Sequence, residues 1–242
     1  MQLVIDIGNT RAKAGLFDQQ ELLWAMPIQQ LEEHEWRALF LRNDIRAGLF
    51  SASGEIPEEW ISLFTTAAFP VMPLLPTDPL PFDNRYTTPT TLGLDRIANL
   101  AALQKLFPHQ TALAIDVGTC VTYDLLENGK TYYGGIISPG WTMRLKAMHL
   151  LTARLPLPPT EEVPLTGTNT QSALQSGAFN GLLAEIQGII NRYKQRFPTV
   201  QVVLTGGDAE ALQKHLENGI FARPHLQLIG LNELLNYHLS KL

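Results

Sequence analysis

The sequence predicts an α/β protein of two duplicated lobes, because one strand–turn–strand pattern occurs twice in the chain. Residues 3–15 read LVIDIGNTRAKAG and residues 113–125 read LAIDVGTCVTYDL. In each copy an apolar run is followed by Asp, one apolar residue, Gly and small polar residues, a pattern typical of two strands joined by a tight turn. With 242 residues, 45% of them hydrophobic, the chain can form two compact cores. We therefore expect one lobe at 1–108 and the other at 109–242.

The composition argues against several classes of protein. A net charge of −5 with scattered Lys and Arg leaves no one-sided basic face, so we expect no nucleic-acid partner. The start, MQLVIDIGNT, has neither the cationic segment nor the cleavage site of a secretory peptide, and no apolar run reaches membrane-spanning length. The lone cysteine, Cys120, cannot form an internal disulfide. We therefore expect a cytoplasmic protein that does not bind membranes.

Both predicted turns suit a phosphate group. Gly8 and Gly118 permit a positive φ angle and leave no side chain between the backbone amides and an approaching ligand. Short polar side chains beside the turns add donors, and carboxylates there can hold a cation directly or through water. The donors are Asn9, Thr10 and Thr119, and the carboxylates are Asp6 and Asp116. A single turn of this kind has a purely conformational explanation, whereas two copies predict a nucleotide held between facing lobes.

Other phosphate-binding and catalytic patterns are missing from the sequence. It contains no GxxxxGK[ST] loop, no GxGxxG at a helix start and no HRD or DFG sequence. The histidines lack metal-ligand spacing, and Ser138 and Ser176 both miss the GxSxG pattern of serine hydrolases. The two turns therefore remain the strongest functional signal.

Two further segments carry candidate residues. Residues 70–93 are rich in proline, which predicts an extended loop leading into a helix with Asp95 and Arg96 near its first turn. Taken alone, Asp95 could simply be an acid that complements the positive end of a helix. Thr170 precedes a long helical stretch at 171–197, so we predict it to be the N-cap of that helix.

The motifs together resemble the type III pantothenate kinase family over nearly the whole chain. They are DIGNT at 6–10, TLGLDRIAN at 91–99, DVGTCVTYD at 116–124, GGIISPG at 134–140, TQSALQSG at 170–177 and TGG at 205–207. The resemblance implies an actin-like fold of two ribonuclease H-like lobes with a central cleft, as in acetate and sugar kinases. It also implies transfer of the γ-phosphate of ATP to pantothenate, giving 4′-phosphopantothenate in the first step of coenzyme A synthesis.

The resemblance implies roles for individual residues on the ATP side. Asp6 lies nearest to magnesium, and Asp116 holds potassium or ammonium, although the sequence alone equally allows it to bind magnesium. The residues implied to contact ATP are Asp6, Ile7, Gly8, Asn9, Thr10, Arg11, Ala12, Lys13, Thr119, Gly206 and Gly207. Without the other motifs, the glycine pair at 206–207 is equally well explained as an ordinary turn between a strand and a helix.

On the acceptor side, the family pattern makes Asp95 the catalytic residue, which orients the pantothenate hydroxyl and accepts its proton. Arg96 could pair with the substrate carboxylate or hold the loop. Thr170 is implied to reach pantothenate bound by a neighbouring subunit, which makes the protein a homodimer with shared sites. The residues implied to contact pantothenate are Tyr86, Gly93, Leu94, Asp95, Arg96 and Thr170.

Three other functions stay open at this point. A non-catalytic ATP-binding accessory relative of the same family is the main alternative, and the retained Asp6, Asp95 and Asp116 argue against it. A nucleotide-driven switch of the actin or heat-shock type would have no use for the GLDR sequence at 93–96. A sugar kinase would need a different acceptor loop and, usually, a longer chain.

Overall fold

The computed structural model describes residues 1–8, 12–30, 32–53, 56, 58–217 and 219–241. Strands and helices alternate along the chain, and short 3-10 turns occur at Ile28–Gln30 and Pro89–Thr91. The strands are β1 Gln2–Ile7, β2 Ala12–Asp18, β3 Glu21–Pro27, β4 Ala47–Ala52, β5 Val71–Pro73, β6 Asp83–Asn84, β7 Ala112–Val117, β8 Cys120–Glu127, β9 Thr131–Pro139, β10 Gln201–Thr205 and β11 Ile220–Ala222. The helices are α1 Glu33–Phe40, α2 Glu58–Thr66, α3 Leu94–Leu106, α4 Trp141–Leu150, α5 Thr170–Arg196, α6 Ala209–Gln213 and α7 Leu226–Leu239.

The two sheets repeat one topology, which confirms the predicted duplication. The first has the order β3-β2-β1-β4-β5, and the second has the order β11-β10-β7-β8-β9-β6. When β7 is matched to β1, the run β9-β8-β7-β10-β11 repeats the first order strand for strand. The strands next to the hairpins, β4 beside β1 and β10 beside β7, both run parallel to their neighbours. Each sheet therefore presents the end of its first strand and the following turn in the same topological position.

Contacts between Cα atoms divide the chain into two compact units. Unit 1 contains residues 1–109, 126–134 and 225–242, and unit 2 contains residues 110–125 and 135–224. The carboxy-terminal helix α7 thus belongs to the unit that contains β1. The turn that joins β8 to β9 belongs to the same unit. The division at 108/109 expected from the sequence stays a prediction of domain organisation.

Unit 1 is built on an apolar core beneath its five-stranded sheet. Central strand β1 is buried along its whole length because its alternating faces are both covered. Helix α7 packs against α3, and the two come so close that a Cβ atom at Gly230 would collide with the backbone of Ala98. This close approach fixes the start of α3, where Asp95 lies.

Unit 2 has its own core, formed by its sheet and by the inward faces of α4 and α5. Leu182, Ile186 and Ile190 recur at helical spacing along α5 and are fully buried. Tyr123 of β8 and Trp141 of α4 belong to the same cluster. In the described part of the chain, no helix is both long and apolar enough to span a bilayer.

Candidate functional site

A buried carboxylate lies near the end of the first strand of the first hairpin. Asp6 lies next to the end of β1, where it is 7% exposed, and it pairs in register with Lys13 on β2. On its other side β4 runs parallel, and the Ser51 hydroxyl donates a 2.8 Å hydrogen bond to Oδ1 of Asp6. Ser51 is 1% exposed, so this bond is shielded from water. Ser51 could not be predicted from the sequence, because only sheet pairing brings it beside Asp6.

The environment of Asp6 disfavours its charge. Burial raises the pKa of Asp6, the Ser51 hydrogen bond lowers it, the nearby charge of Asp95 raises it and that of Lys13 lowers it, for a final value of about 6. The charge of Asp95, the other predicted functional carboxylate of unit 1, therefore acts on Asp6. A divalent cation would stabilise the ionised form of Asp6 that burial disfavours, so this donor set fits the expected magnesium.

Within the described ranges, no group of three or more His, Cys, Asp and Glu side chains could hold a metal ion. Magnesium characteristically keeps water and phosphate oxygens beside one or two carboxylates. A single buried carboxylate, that of Asp6, is compatible with that preference.

Asp95 occupies the first turn of α3, as predicted. Its Oδ1 accepts a 2.9 Å hydrogen bond from the backbone N–H of Arg96, so the carboxylate folds back over the helix start. Gly93 precedes the helix at the N-cap position, and a Cβ atom there would collide with the Asp95 carboxylate. This explains the glycine of the GLDR sequence as a steric requirement of the Asp95 conformation. Leu94 is the first residue of the helix.

Arg96 is buried, with 4% exposure, and binds aromatic side chains of its own unit. One guanidinium nitrogen donates a 2.6 Å hydrogen bond to the hydroxyl of Tyr132, and the guanidinium lies 5.7 Å from the centre of the Tyr86 ring. The two tyrosine rings stack at 6.0 Å. Of the roles considered for Arg96, these contacts support holding the loop. Tyr132 was missed from sequence because it lies on β9, far from the GLDR segment along the chain.

Three further predicted residues of the first hairpin, Ile7, Gly8 and Ala12, are described by the structure. Ile7 ends β1 and pairs with Ala12 at the start of β2. Gly8 follows Ile7 directly. Three predicted ATP-binding residues, Asn9, Thr10 and Arg11, lie outside the described residues.

The second hairpin turn, in unit 2, packs tightly against two other backbone segments. Gly118 donates a 2.9 Å hydrogen bond to the Cys120 carbonyl, which closes the turn and leaves Thr119 exposed. The N–H of Gly140 donates to the Thr119 carbonyl at 3.1 Å. A Cβ atom at Gly140 would collide with the carbonyl oxygens of Gly118 and Thr119. The last glycine of GGIISPG is therefore required by backbone contact with this turn.

The glycine pair at 206–207 packs against the strand that leads into the second hairpin turn. Gly206 has φ of +100°, and a Cβ atom there would collide with the Val117 carbonyl and the Asp116 carboxylate. Asp208 donates its N–H to the Val117 carbonyl at 3.1 Å. The segment joins β10 to α6, so it is a strand-to-helix turn that also contacts the second hairpin. Asp116 is half-buried beside it.

The prediction that Thr170 caps α5 is wrong. Asn169 is the N-cap: its backbone is extended and its Oδ1 accepts from the Ser172 N–H at 2.9 Å, while the Asn169 N–H donates to the Ser172 hydroxyl at 3.1 Å. Asn169 lies three residues before Ser172, the spacing that this reciprocal pair requires, whereas Thr170 does not. Thr170 is the exposed first residue of the helix and lines a cavity of about 530 Å³. Its hydroxyl is thus not committed to a cap.

Solved structures share this fold. A Campylobacter jejuni protein described as a Baf family transcriptional activator superposes with a TM-score of 0.61 at 22% identity, covering 98% of this chain and 99% of that chain. A Sinorhizobium meliloti protein described as a 2-dehydro-3-deoxygalactonokinase gives 0.55 at 12% identity, covering 98% and 99%. At these identities the likeness concerns the fold alone, which is the predicted α/β fold of actin-like kinases.

Proteins related in sequence indicate the family more specifically than the shared fold does. The type III pantothenate kinase of Bacteroides fragilis is 39% identical over 239 residues, which cover 98% of this chain and 98% of that protein. A family model of type III pantothenate kinase matches residues 2–192, which include both hairpins, the GLDR helix and most of α5. The chain belongs to the type III pantothenate kinase family.

Proposed function

We propose that the protein transfers the γ-phosphate of ATP to the terminal hydroxyl of pantothenate. The observation that supports this best is the electrostatic interaction between the buried Asp6 at the end of β1 and Asp95 in the first turn of α3. Phosphoryl transfer needs one group that holds the metal and phosphates and another that orients the acceptor alcohol. The end of β1 and the start of α3 supply one carboxylate for each role.

On the donor side, Asp6 would hold magnesium and Lys13 would offer a positive charge to the phosphates. Magnesium bound to ATP neutralises charge that develops on the phosphate oxygens. Asp6 is suited to this role because burial disfavours its ionised carboxylate, which a bound cation would stabilise. The backbone amides of the turn after Ile7 and of the Gly118–Thr119 turn would donate to phosphate oxygens.

On the acceptor side, Asp95 would hold the substrate hydroxyl in line with the γ-phosphate and take its proton. The Arg96 N–H already fixes one carboxylate oxygen at 2.9 Å, which leaves the other oxygen for the alcohol. In-line transfer through a loose transition state places little demand on a strong base early in the reaction, so orientation is the main contribution. Tyr86, with Arg96 beneath its ring, would form the wall of the pantothenate site.

A homodimer with shared sites is part of the proposal. Large apolar side chains of β9, of the end of α4 and of the following loop are exposed, which is unusual for a surface that stays in water. They are Ile136 at 38%, Ile137 at 61%, Leu150 at 76%, Leu151 at 84% and Leu165 at 77%. Thr170, with its free helix-start position, would reach pantothenate in the neighbouring subunit.

We also propose, from the family pattern, that Asp116 holds potassium or ammonium. The same pattern leads us to propose a cytoplasmic location. Asp116 is half-buried beside the Gly206 turn, where a monovalent cation would offset its charge.

Turnover of alcohol acceptors tests the proposal directly. Purified protein with magnesium, potassium and ATP should release ADP when pantothenate is present and not when glucose, glycerol or acetate replaces it. A non-catalytic accessory protein would bind ATP and turn over none of them. Turnover of one of the other acceptors, with pantothenate left unchanged, would contradict the assignment.

A further inference from the structure

Glu185 of α5 is the centre of a hydrogen-bond network in unit 2 that the proposed reaction does not use. The Tyr123 hydroxyl donates to its Oε1 at 2.9 Å, and the Ser138 hydroxyl donates to the same oxygen. Arg144 of α4 forms an ion pair with its Oε2. The side chains of Arg144 and Glu185 are only 19% and 26% exposed, so the pair is largely shielded from solvent.

The network holds Glu185 in its charged form. Burial raises the pKa of Glu185, but the hydrogen bonds from Ser138, Arg144 and Tyr123 and the Arg144 charge outweigh burial and hold it below its usual value. Burial, together with the bond to Glu185, raises the pKa of Tyr123, so its hydroxyl stays a donor. Charge-assisted hydrogen bonds of this kind are stronger than neutral ones and fix geometry.

One of these partners, Ser138, belongs to the segment that contacts the second hairpin turn, and another, Arg144, binds that segment. Ser138 lies in β9, immediately before Pro139, and Arg144 also donates from Nε to the Pro139 carbonyl at 3.0 Å. Gly140, the next residue, donates to the Thr119 carbonyl and is packed against the Gly118 carbonyl with no room for a side chain. A displacement of Ser138 or Pro139 would therefore move the backbone on which the turn rests.

We propose that Glu185 is a positioning residue for the nucleotide: through Ser138 and Arg144 it holds residues 138–140, and these hold the Gly118–Thr119 turn in the conformation that binds phosphate. This inference rests on the proposed function only in assigning that turn to ATP. A surface ion pair would contribute little, but removing one partner of a buried network leaves the others unsatisfied. The consequence should appear in ATP binding more than in pantothenate binding, because the GLDR segment belongs to the other unit and Thr170 lies at the start of α5, several helical turns from Glu185.

The test compares Glu185→Gln with a matched exposed variant, Glu217→Gln. The glutamine side chain would keep the volume of Glu185 and the acceptor for Ser138 but would present an amide donor to Arg144. We expect a rise in KM for ATP of about five- to tenfold, with KM for pantothenate changed less than about twofold. Glu217 is 57% exposed and pairs only loosely with Lys194, so its replacement should leave both constants at the parent values.

Ser138→Ala is the second variant, because it removes the direct hydrogen bond between Glu185 and the segment and leaves the connection through Arg144 in place. Ser138→Ala should also weaken Mg·ATP binding, by a smaller factor than Glu185→Gln. Titration calorimetry with Mg·ATP, in the absence of pantothenate, measures this independently of turnover. If both folded variants bind Mg·ATP with the parent Kd, the positioning role is overturned. If the parent protein binds Mg·ATP but does not phosphorylate pantothenate, the proposed function fails while the Kd comparison still decides the role of Glu185.

Discussion

The Ser51 hydroxyl donates a 2.8 Å hydrogen bond to Oδ1 of Asp6, across the parallel pair of β1 and β4. Asp6 is thereby held at the end of a fully buried strand by a partner 45 residues away in sequence. Burial pushes the pKa of Asp6 up to about 6, and Ser51 is the strongest influence that pulls it down. The pair therefore links the stability of unit 1 to the charge state of the proposed magnesium ligand.

Replacing Ser51 with Ala should raise the pKa of Asp6 further, because it removes a hydrogen bond that favours the charged form. Mg·ATP binding should then weaken more at pH 6 than at pH 8, since Asp6 must ionise to bind the metal. Calorimetric titrations at both pH values measure this, with Ser62→Ala on the exposed face of α2 as the control. An equal loss of affinity at both pH values would contradict the link.

Asp6→Asn should stabilise the ligand-free protein while abolishing turnover. The folded-state pKa of Asp6 is raised from 3.8 to about 6, so its favourable contribution is complete below pH 3.8 and is lost as the pH rises through 6. At pH 8 the buried carboxylate costs about 3 kcal/mol, from about 1.4 kcal/mol per pKa unit. Urea unfolding should show the Asn variant more stable at pH 8, with the gain fading toward pH 4. A gain that does not change with pH would contradict the assigned pKa.

Asp95→Asn should abolish turnover while largely preserving ATP binding, because the role proposed for Asp95 is to orient the acceptor and accept a proton. It should also lower the pKa of Asp6, since the Asp95 charge is one of the causes that raise it. Single-turnover kinetics and Mg·ATP titration separate the two effects. An unchanged turnover number would remove Asp95 from the mechanism.

Tyr132→Phe should raise KM for pantothenate with a smaller effect on KM for ATP. The substitution leaves Arg96 without the 2.6 Å hydrogen bond that fixes it beneath the Tyr86 ring, and the lost bond should reduce the free energy of unfolding by about 1.5–3 kcal/mol. Steady-state kinetics and thermal unfolding provide the two readouts. Tyr133→Phe is the matched control, because that side chain is 62% exposed. Parent values for both readouts in the Tyr132 variant would show that the bond has no positioning role.

Thr170→Ala should raise KM for pantothenate, and mixing it with Asp95→Asn should restore part of the activity. In a dimer with shared sites, one of the hybrid's two sites would combine an intact Asp95 with an intact Thr170 from the neighbour. Activity is measured after the two inactive or impaired proteins are mixed and allowed to exchange subunits. The absence of recovery in samples shown to contain hybrid dimers would count against shared sites.

Much of the fold and part of the site could be predicted because the signals are local. The strand, turn and glycine chemistry at residues 3–15 and 113–125 predicted both hairpins, and the GLDR sequence predicted Asp95 in the first turn of a helix. These features depend on alternation, turn conformation and helix-start chemistry within a few residues. The prediction of the N-cap of α5 was wrong, because Asn169 and Thr170 are both residue types that cap helices. Which of them caps α5 depends on which can pair with Ser172.

Local patterns along the chain were sufficient to predict the duplicated α/β architecture, the family, and the acidic and glycine residues that we propose to carry the chemistry. The side chains that hold these residues in place could be identified only from the folded chain: Ser51 against Asp6, Tyr132 against Arg96, and Glu185 against the segment that contacts Thr119. The physical reason is that sheet register and helix packing join residues that are distant along the chain. A short motif can specify its own turn, but it cannot specify the neighbours that bury it and set its charge.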